Sequence, residues 1–138
     1  MESKLIIYPG FSMIVLTVFL YIKNRLAVVS AIKEKSIHFN YLKAYKESPP
    51  EYVDITRQTL KNQFELPVLF YFLITLIFIN GHVTFFDLIF AWGFSVSRYI
   101  HAYIRLSTNY VPVRAKVFIL GFVLLCAGWI NFLVNLSV

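Results

Sequence analysis

The chain has 138 residues, of which 59% are hydrophobic and only 14% are charged, and its formal net charge is +6. Soluble proteins have roughly 45–50% apolar and about 25% charged residues, so the composition excludes an ordinary soluble domain and indicates one membrane domain. Apart from Lys4, every basic residue falls between Lys23 and Lys61 or between Arg98 and Lys116, beside apolar segments. This distribution argues against a nucleic-acid-binding face and follows the positive-inside rule.

The first apolar segment is about as long as the ~20 residues that a helix needs to cross a bilayer. Lys23 and Arg25 follow this segment instead of preceding it, and no small-residue cleavage site is present, so we do not expect a signal peptide here. We predict a retained first span over about residues 5–28, with its N-terminus outside. A basic cytoplasmic loop then covers about residues 29–61 and contains the break Pro49-Pro50.

Three further apolar helices are predicted over about residues 62–80, 84–104 and 115–136. The connection between the second and third spans is short and carries the turn signal Asn80-Gly81, so these spans are antiparallel neighbours. The sequence therefore predicts an all-α membrane protein, a single-domain up-down bundle of four transmembrane helices with both termini outside. The charged ends of the second, third and fourth spans meet on the cytoplasmic side.

Glu65 lies at the mouth of the second span, where an ionisable side chain costs energy unless it is paired and by default suggests a functional site. Asn62 precedes Glu65 by three residues, so on a helix the two share one face. Pro67 would leave the carbonyl of Gln63 without its usual donor, beside Glu65. Lys61, at i−4 from Glu65, is a weaker cationic partner nearer the surface.

Three polar residues of the third helix, Arg98, His101 and Arg105, are spaced i, i+3, i+7 and therefore lie on one stripe. Arg98 is about one and a half turns from the helix end, deeper than snorkelling requires. We therefore expect Glu65 to pair with Arg98 or with an equivalent cation of a neighbouring subunit. The remaining charges, including Arg114, are cationic, and guanidinium groups facing a cleft suit a carboxylate- or phosphate-bearing molecule.

Each of these residues also has an ordinary structural explanation. Arg105 and Arg114 could anchor helix ends at lipid headgroups, as we expect of Lys116, and His101 could make a polar contact between helices. The single Cys126 lies among apolar residues that disfavour a thiolate, so packing explains it better than a nucleophilic role. No second His or Cys lies near Glu65 in the predicted bundle, so we expect no metal site.

The order and spacing of these motifs resemble the MAPEG family, the membrane-associated proteins of eicosanoid and glutathione metabolism. The pattern is N-x-x-E followed by a proline, then R-x-x-H on the third helix, then P-x-R at the start of the fourth. The matching residues are Asn62, Glu65, Pro67, Arg98, His101, Pro112 and Arg114. The resemblance covers about residues 57–118. It implies a homotrimer with sites between neighbouring subunits on the cytoplasmic side. It also implies a bacterial-type branch of the family, located in the inner (plasma) membrane.

The resemblance also implies glutathione as a co-substrate, with Glu65 taking its amino group and Arg114 as the catalytic residue near the sulfur. The candidate glutathione-binding residues are Asn62, Glu65, Arg98, His101, Arg105 and Lys61. A cation near the thiol stabilises the thiolate, which can attack a lipophilic electrophile or hydroperoxide that arrives from the membrane lipids. The function so implied is a glutathione-dependent transferase or peroxidase.

The chain departs from the family enzymes at three positions. It has Gln58 where they have an Arg one turn before the Asn, and it has Arg105 and Phe118 where they have Tyr. The missing hydroxyls favour a second hypothesis, a non-catalytic lipid- or partner-binding membrane protein on the same scaffold, with Phe side chains lining an apolar groove. Whether the protein is an enzyme stays open at this point. A transporter or channel is disfavoured because the spans lack paired broken helices and inverted repeats.

Overall fold

The computed structural model describes residues 2–45 and 48–136, and within them it contains helices and no strands. The helices are α1 (Ile7–Lys33), α2 (Tyr41–Ala44), α3 (Glu51–Lys61), α4 (Leu66–Asn80), α5 (Phe85–Leu106) and α6 (Val111–Leu136). Short 3₁₀ turns precede α1 (Ser3–Ile6) and join α3 to α4 (Asn62–Phe64). The predicted all-α architecture of four long helices, here α1, α4, α5 and α6, is confirmed.

Three stretches of the described residues are long and apolar enough to cross a membrane: Ser3–Lys33, Glu51–Asn80 and Val111–Leu136. α5 has the length of a span but is less apolar, because its buried face carries polar and charged side chains. It packs most extensively against α6 and also against α1. The structure is therefore a membrane bundle in which α5 supplies the polar interior and the other three long helices supply most of the apolar surface.

The core of the bundle is apolar and draws side chains from all four long helices. The rings of Phe70 in α4 and Phe94 in α5 stack with their centroids 4.6 Å apart. Met13 of α1 and Leu125 of α6 complete this layer of the same buried cluster. Because lipid tails are as apolar as these side chains, close packing rather than water exclusion stabilises the layer. Large apolar side chains also remain exposed on the outside of the bundle, such as Ile79 at 74%, as a lipid-facing surface requires.

Hydrogen bonds fasten α5 to α1 within this bundle. The buried hydroxyl of Ser95 donates to the carbonyl of Pro9 at 3.1 Å, and the hydroxyl of Tyr99 donates to the carbonyl of Ser12 at 2.7 Å. Pro9 lies in the first turn of α1, where its missing N–H costs no helical hydrogen bond. These two bonds fix the height of α5 against α1, and with it the level of the polar residues on α5.

The far end of α5, remote from the predicted site, carries a satisfied buried carboxylate. The Asp87 carboxylate accepts from the backbone N–H of Thr84 at 2.9 Å, and the backbone N–H of Asp87 donates to the Thr84 hydroxyl oxygen at 3.2 Å, which forms a capping box. The Thr84 hydroxyl also donates to the carboxylate at 2.7 Å. The amide of Asn131 in α6 donates to the other carboxylate oxygen at 2.7 Å. Asp87 therefore caps α5 and joins it to α6, a structural role.

The basic segment predicted as a loop over about residues 29–61 is partly helical, so that prediction was wrong for much of its described part. α1 continues to Lys33, and α3 begins at Glu51, directly after Pro50. α3 forms because it buries Val53 against α1 in a second small core and carries acidic residues in its first turn, where the helix dipole favours them.

The second span does not start as a continuous helix at residue 62, which corrects a further prediction. Glu65 lies between the 3₁₀ turn and α4 with φ −101° and ψ −102°, outside the helical region. Pro67 explains the break, because a proline disfavours the helical conformation in the residue before it and lacks an N–H. As the second residue of α4, Pro67 loses no helical hydrogen bond.

We predict that Gly121→Ala destabilises the protein by about 1–3 kcal/mol, the usual cost of overpacking a core. A Cβ at Gly121 in α6 would overlap the hydroxyl of Ser97 in α5, which is held by a 2.6 Å hydrogen bond to the carbonyl of Phe94. Thermal unfolding of the detergent-solubilised protein measures the effect. Gly10→Ala is the control, because its Cβ would meet only Ile74 at an ordinary 3.5 Å, and equal melting temperatures for the two variants would contradict the prediction.

Candidate functional site: a polar cleft at the basic end of the bundle

A polar cleft of about 650 Å³ opens where α3, the turn that follows it and the end of α5 meet. Four of the seven predicted site residues line it, namely Lys61, Asn62, Glu65 and Arg105. Three lining residues were not among the candidates: Tyr45, Arg57 and Gln58. The cleft therefore joins side chains that lie more than forty residues apart in the sequence.

Asn62 and Glu65 both line the cleft, although they do not belong to one α-helix. Asn62 opens the 3₁₀ turn and Glu65 follows it. Glu65 lies outside the helical region, so the two residues border the same cleft without sharing a helical face.

Glu65 is exposed at the cleft. Within the described residues it has no Lys or Arg nitrogen within 4.0 Å, so the expected pair with Arg98 is not formed inside one chain. Its charge nevertheless acts on both Arg98 and Arg105. The helix break accounts for the missing ion pair, because it leaves Glu65 at the surface of the cleft. Pairing with a cation of a neighbouring subunit stays a prediction.

Arg98 lies behind the cleft and is only 1% exposed. One terminal nitrogen donates to the carbonyl of Asn62 at a long 3.4 Å, while Nε and the other terminal nitrogen have no partner among the described residues. The guanidinium also faces the ring of Phe118, 5.5 Å from its centroid. A buried cation with so few partners costs stability, so the position of Arg98 favours a functional role.

His101 is also buried, on the next turn of the same stripe, with its ring centroid 5.8 Å from that of Phe118. Its Nδ1 has no partner in the described part of the chain. The charges of Arg98, Arg105 and Arg114 all act on it. The predicted stripe is thus present on α5, and Arg98 and His101 both contact the ring of Phe118.

Arg105 reaches across the cleft from α5 to α3. Its terminal nitrogen donates to the side-chain carbonyl of Gln58 at 2.6 Å, and its Nε has no partner among the described residues. Gln58 and Arg105 are two of the three positions at which the chain departs from the family enzymes. The structure shows that these two departures contact one another, which sequence spacing could not reveal.

Arg114 lies in the first turn of α6, outside the set of residues that line the cleft. Its guanidinium donates to the side-chain oxygen of Asn109. Asn109 has a left-handed backbone conformation, with φ +48°, and its own N–H donates to the carbonyl of Ile104 at 2.8 Å. The turn between α5 and α6 therefore holds Arg114, whose charge acts on Arg105 and His101.

Arg57 is the cleft residue whose position is most strongly fixed. It forms an ion pair with Asp54 at 2.6 Å and donates to the hydroxyl of Tyr41 at 2.7 Å. Its guanidinium also lies 5.3 Å from the ring centroid of Tyr45. The i, i+3 spacing of Asp54 and Arg57 is the sequence signal that could have predicted this pair.

A bundle of four long helices with a mostly apolar exterior and a polar cleft at its basic end defines a small α-helical integral membrane protein. The model of the MAPEG family matches residues 10–134, nearly the whole chain, and the chain therefore belongs to the MAPEG family. This confirms the resemblance inferred from the motifs. The family includes glutathione transferases and peroxidases as well as non-catalytic members. No curated protein and no solved structure matches the chain.

We predict that Arg98→Met does not lower the melting temperature, because methionine fills similar space without a buried charge to desolvate. Asp87→Ala is the contrasting variant, since it removes a buried carboxylate that Thr84 and Asn131 satisfy. Leaving those donors unpaired costs about 1–3 kcal/mol. Thermal unfolding in detergent compares the two, and a large loss of stability in Arg98→Met would show that Arg98 serves the fold and not a site.

Proposed function

We propose that the protein is a glutathione-dependent transferase or peroxidase that acts on lipophilic electrophiles or hydroperoxides at this cleft. The observation that supports this most directly is the charge arrangement: Glu65 is a carboxylate without an ion pair among the described residues, beside Lys61 and Arg105 in one cleft. Glutathione carries one ammonium group and two carboxylates. Glu65 can bind the ammonium group, and the two cations can bind the carboxylates through charge-assisted hydrogen bonds.

The contact between Gln58 and Arg105 supports the same proposal. In the family enzymes that this chain resembles, the cation of this region lies one turn before the Asn, where this chain has Gln58. Here the guanidinium of Arg105 touches Gln58 from α5, so a positive charge still occupies that part of the cleft. The change from Tyr to Arg at position 105 therefore retains the anion-binding character of the cleft.

The proposed chemistry depends on stabilising the thiolate of glutathione. A nearby cation favours thiolate over thiol, and Arg114 is the residue that the family motif assigns to the sulfur. The thiolate sulfur would form a bond to an electrophilic carbon while a leaving group departs from that carbon with its electron pair, and the thiol proton would pass to solvent. With a hydroperoxide, the sulfur would attack the terminal oxygen and break the O–O bond, which releases an alcohol and leaves glutathione as its sulfenic acid. A second glutathione would convert this sulfenic acid to glutathione disulfide and water.

We propose further that the active assembly is a homotrimer in a bacterial inner membrane, with both termini outside and the cleft on the cytoplasmic side. In the sequence, all thirteen basic residues except Lys4 fall between Lys23 and Lys61 or between Arg98 and Lys116, beside apolar segments, as expected of the cytoplasmic side. The cleft is open in the single chain, and Glu65 lacks a cation within 4.0 Å in the described residues. A neighbouring subunit would supply a wall and a partner for Glu65.

A non-catalytic lipid- or partner-binding protein is the second candidate, and one contact specifically favours it. The ring of Phe118 faces both Arg98 and His101, so these two polar residues meet an apolar surface where the family enzymes would present a hydroxyl. In that case the cleft would bind an anionic group without activating a thiol.

The first test is a thermal-shift titration with glutathione. At about 100 times its dissociation constant, a ligand that binds only the folded protein adds about 2.7 kcal/mol to stability. Glu65→Gln should weaken this binding about tenfold to a hundredfold, because it removes a charge-assisted hydrogen bond. Glu51→Gln is the matched control, since Glu51 is exposed and lies outside the cleft. No stabilisation of the wild type at millimolar glutathione would refute glutathione binding.

Turnover distinguishes the two candidate functions. Arg114→Ala should lower kcat about 100-fold or more, the usual effect of losing a group that stabilises developing charge, while the glutathione-induced melting shift changes little. Lys116→Ala is the control, because Lys116 is exposed two residues further along α6. The readout is conjugation of glutathione to a lipophilic electrophile. Glutathione binding without any turnover in the wild type would support the non-catalytic candidate.

A further inference from the structure

A second groove runs along α1, on the side where α3 and α4 pack against it. Its upper part, about 440 Å³, lies between the second half of α1 and α3. Its lower part, about 350 Å³, lies between the first half of α1 and the start of α4. Phe64 lines both parts, so the two adjoin at this residue. On α1 the groove follows one stripe of the helix at alternating spacings of four and three residues: Ile14, Val18, Tyr21, Arg25 and Val28.

The upper part of the groove is cationic. Its lining includes Arg25, Arg57 and Lys61 and no acidic residue. Arg57 is neutralised by Asp54 at 2.6 Å. Neither Arg25 nor Lys61 has a carboxylate oxygen within 4.0 Å in the part of the chain that the structure describes. The upper groove therefore presents two unneutralised cations to any anion that enters it.

The lower part of the groove is apolar, with Ile14, Val18 and Val68 among its lining residues. Thr17, Gln63 and Tyr71 also border it, but they contribute almost no polar surface to the lining. The amide atoms of Gln63 are buried away from the surface, and the hydroxyl of Thr17 donates to the carbonyl of Met13 at 2.9 Å. A ligand in this part would meet only apolar surface.

The length and level of the groove match one leaflet of a bilayer. From Val28 to Ile14 the helix rises about 21 Å at 1.5 Å per residue, and half of a bilayer with its headgroups is about 20–22 Å thick. Arg25 lies just beyond the apolar segment of α1, at the level of the headgroups. Tyr21 and Tyr45, which line the upper part, are 64% and 57% exposed, as expected of aromatic residues at a membrane interface.

We propose that this groove is a binding site for one anionic phospholipid. The phosphate lies between Arg25 and Lys61, where a guanidinium can form two parallel hydrogen bonds to it. One acyl chain follows Ile14, Val18 and Val68 towards the centre of the membrane. The site shares Lys61 with the polar cleft. It uses neither the thiol chemistry nor Glu65 and Arg114, so lipid binding does not require the activity proposed above.

The test is native mass spectrometry of the full-length protein in a neutral detergent, with dioleoyl phosphatidylglycerol, dioleoyl phosphatidylcholine or inorganic phosphate added. We expect retention of one phosphatidylglycerol per chain, weaker retention of phosphatidylcholine, and no thermal stabilisation by phosphate alone. Equal retention of the two lipids would overturn the anionic selectivity. Stabilisation by inorganic phosphate equal to that by phosphatidylglycerol would overturn the lipid site in favour of a free-anion site.

Two pairs of variants locate the lipid. Arg25→Gln should weaken phosphatidylglycerol retention about fivefold, the effect of one cation near an anionic headgroup. Lys23→Gln should leave retention unchanged, because Lys23 lines a different groove, between α1 and α5. Val18→Trp should fill the apolar part and reduce retention of both lipids. Its control is Val15→Trp, because Val15 also borders that other groove.

Unchanged retention in both Arg25→Gln and Val18→Trp would overturn the proposal. If Val18→Trp instead breaks up an oligomer and leaves lipid retention unchanged, a second copy of the chain covers the groove and the proposal is equally overturned. Arg25→Gln should keep the wild-type melting shift with glutathione. Lipid binding and glutathione binding can therefore fail separately in these experiments.

Discussion

The break in the helix before Pro67 is the constraint on which the polar end of this molecule depends. Because a proline disfavours the helical conformation in the residue before it, α3 and α4 are separate helices with a 3₁₀ turn between them. The turn places Asn62 and Glu65 in the cleft and presents the carbonyl of Asn62 to Arg98. A straight helix through residue 65 would offer neither this carbonyl nor the same opening.

α5 supplies the other residues of this polar end. It is the least apolar of the four long helices because its interior face carries polar and charged side chains. At one end Asp87 is fully satisfied by Thr84 and Asn131 and therefore stabilises the fold. At the other end Arg98 and His101 are buried with unpartnered nitrogen atoms among the described residues. Buried polar groups that lack partners reduce stability, so their concentration beside the cleft marks that end as the functional one.

Two surfaces with different chemistry meet at Tyr45, Arg57 and Lys61, which line both the polar cleft and the upper groove on α1. The cleft mixes one carboxylate with several cations, which suits a small zwitterionic molecule with excess negative charge. The groove has cations at one end and only apolar surface at the other, which suits an amphiphile. A lipophilic substrate and a membrane lipid would both approach from the bilayer side, while glutathione would enter from water.

The sequence by itself determined the apolar segments, the basic end of the bundle, the stripe on α5 and the family, because composition, charge distribution and helical periodicity are local properties. Only the tertiary structure decided that α3 is a helix, since Val53 is buried by α1, and that Gln58 binds Arg105 across 47 residues. It also showed that Glu65 does not pair with Arg98 within one chain. Side-chain contacts between helices depend on where each helix begins. Pro67 sets the start of α4 by breaking the helix before it, and the periodicity did not reveal this break.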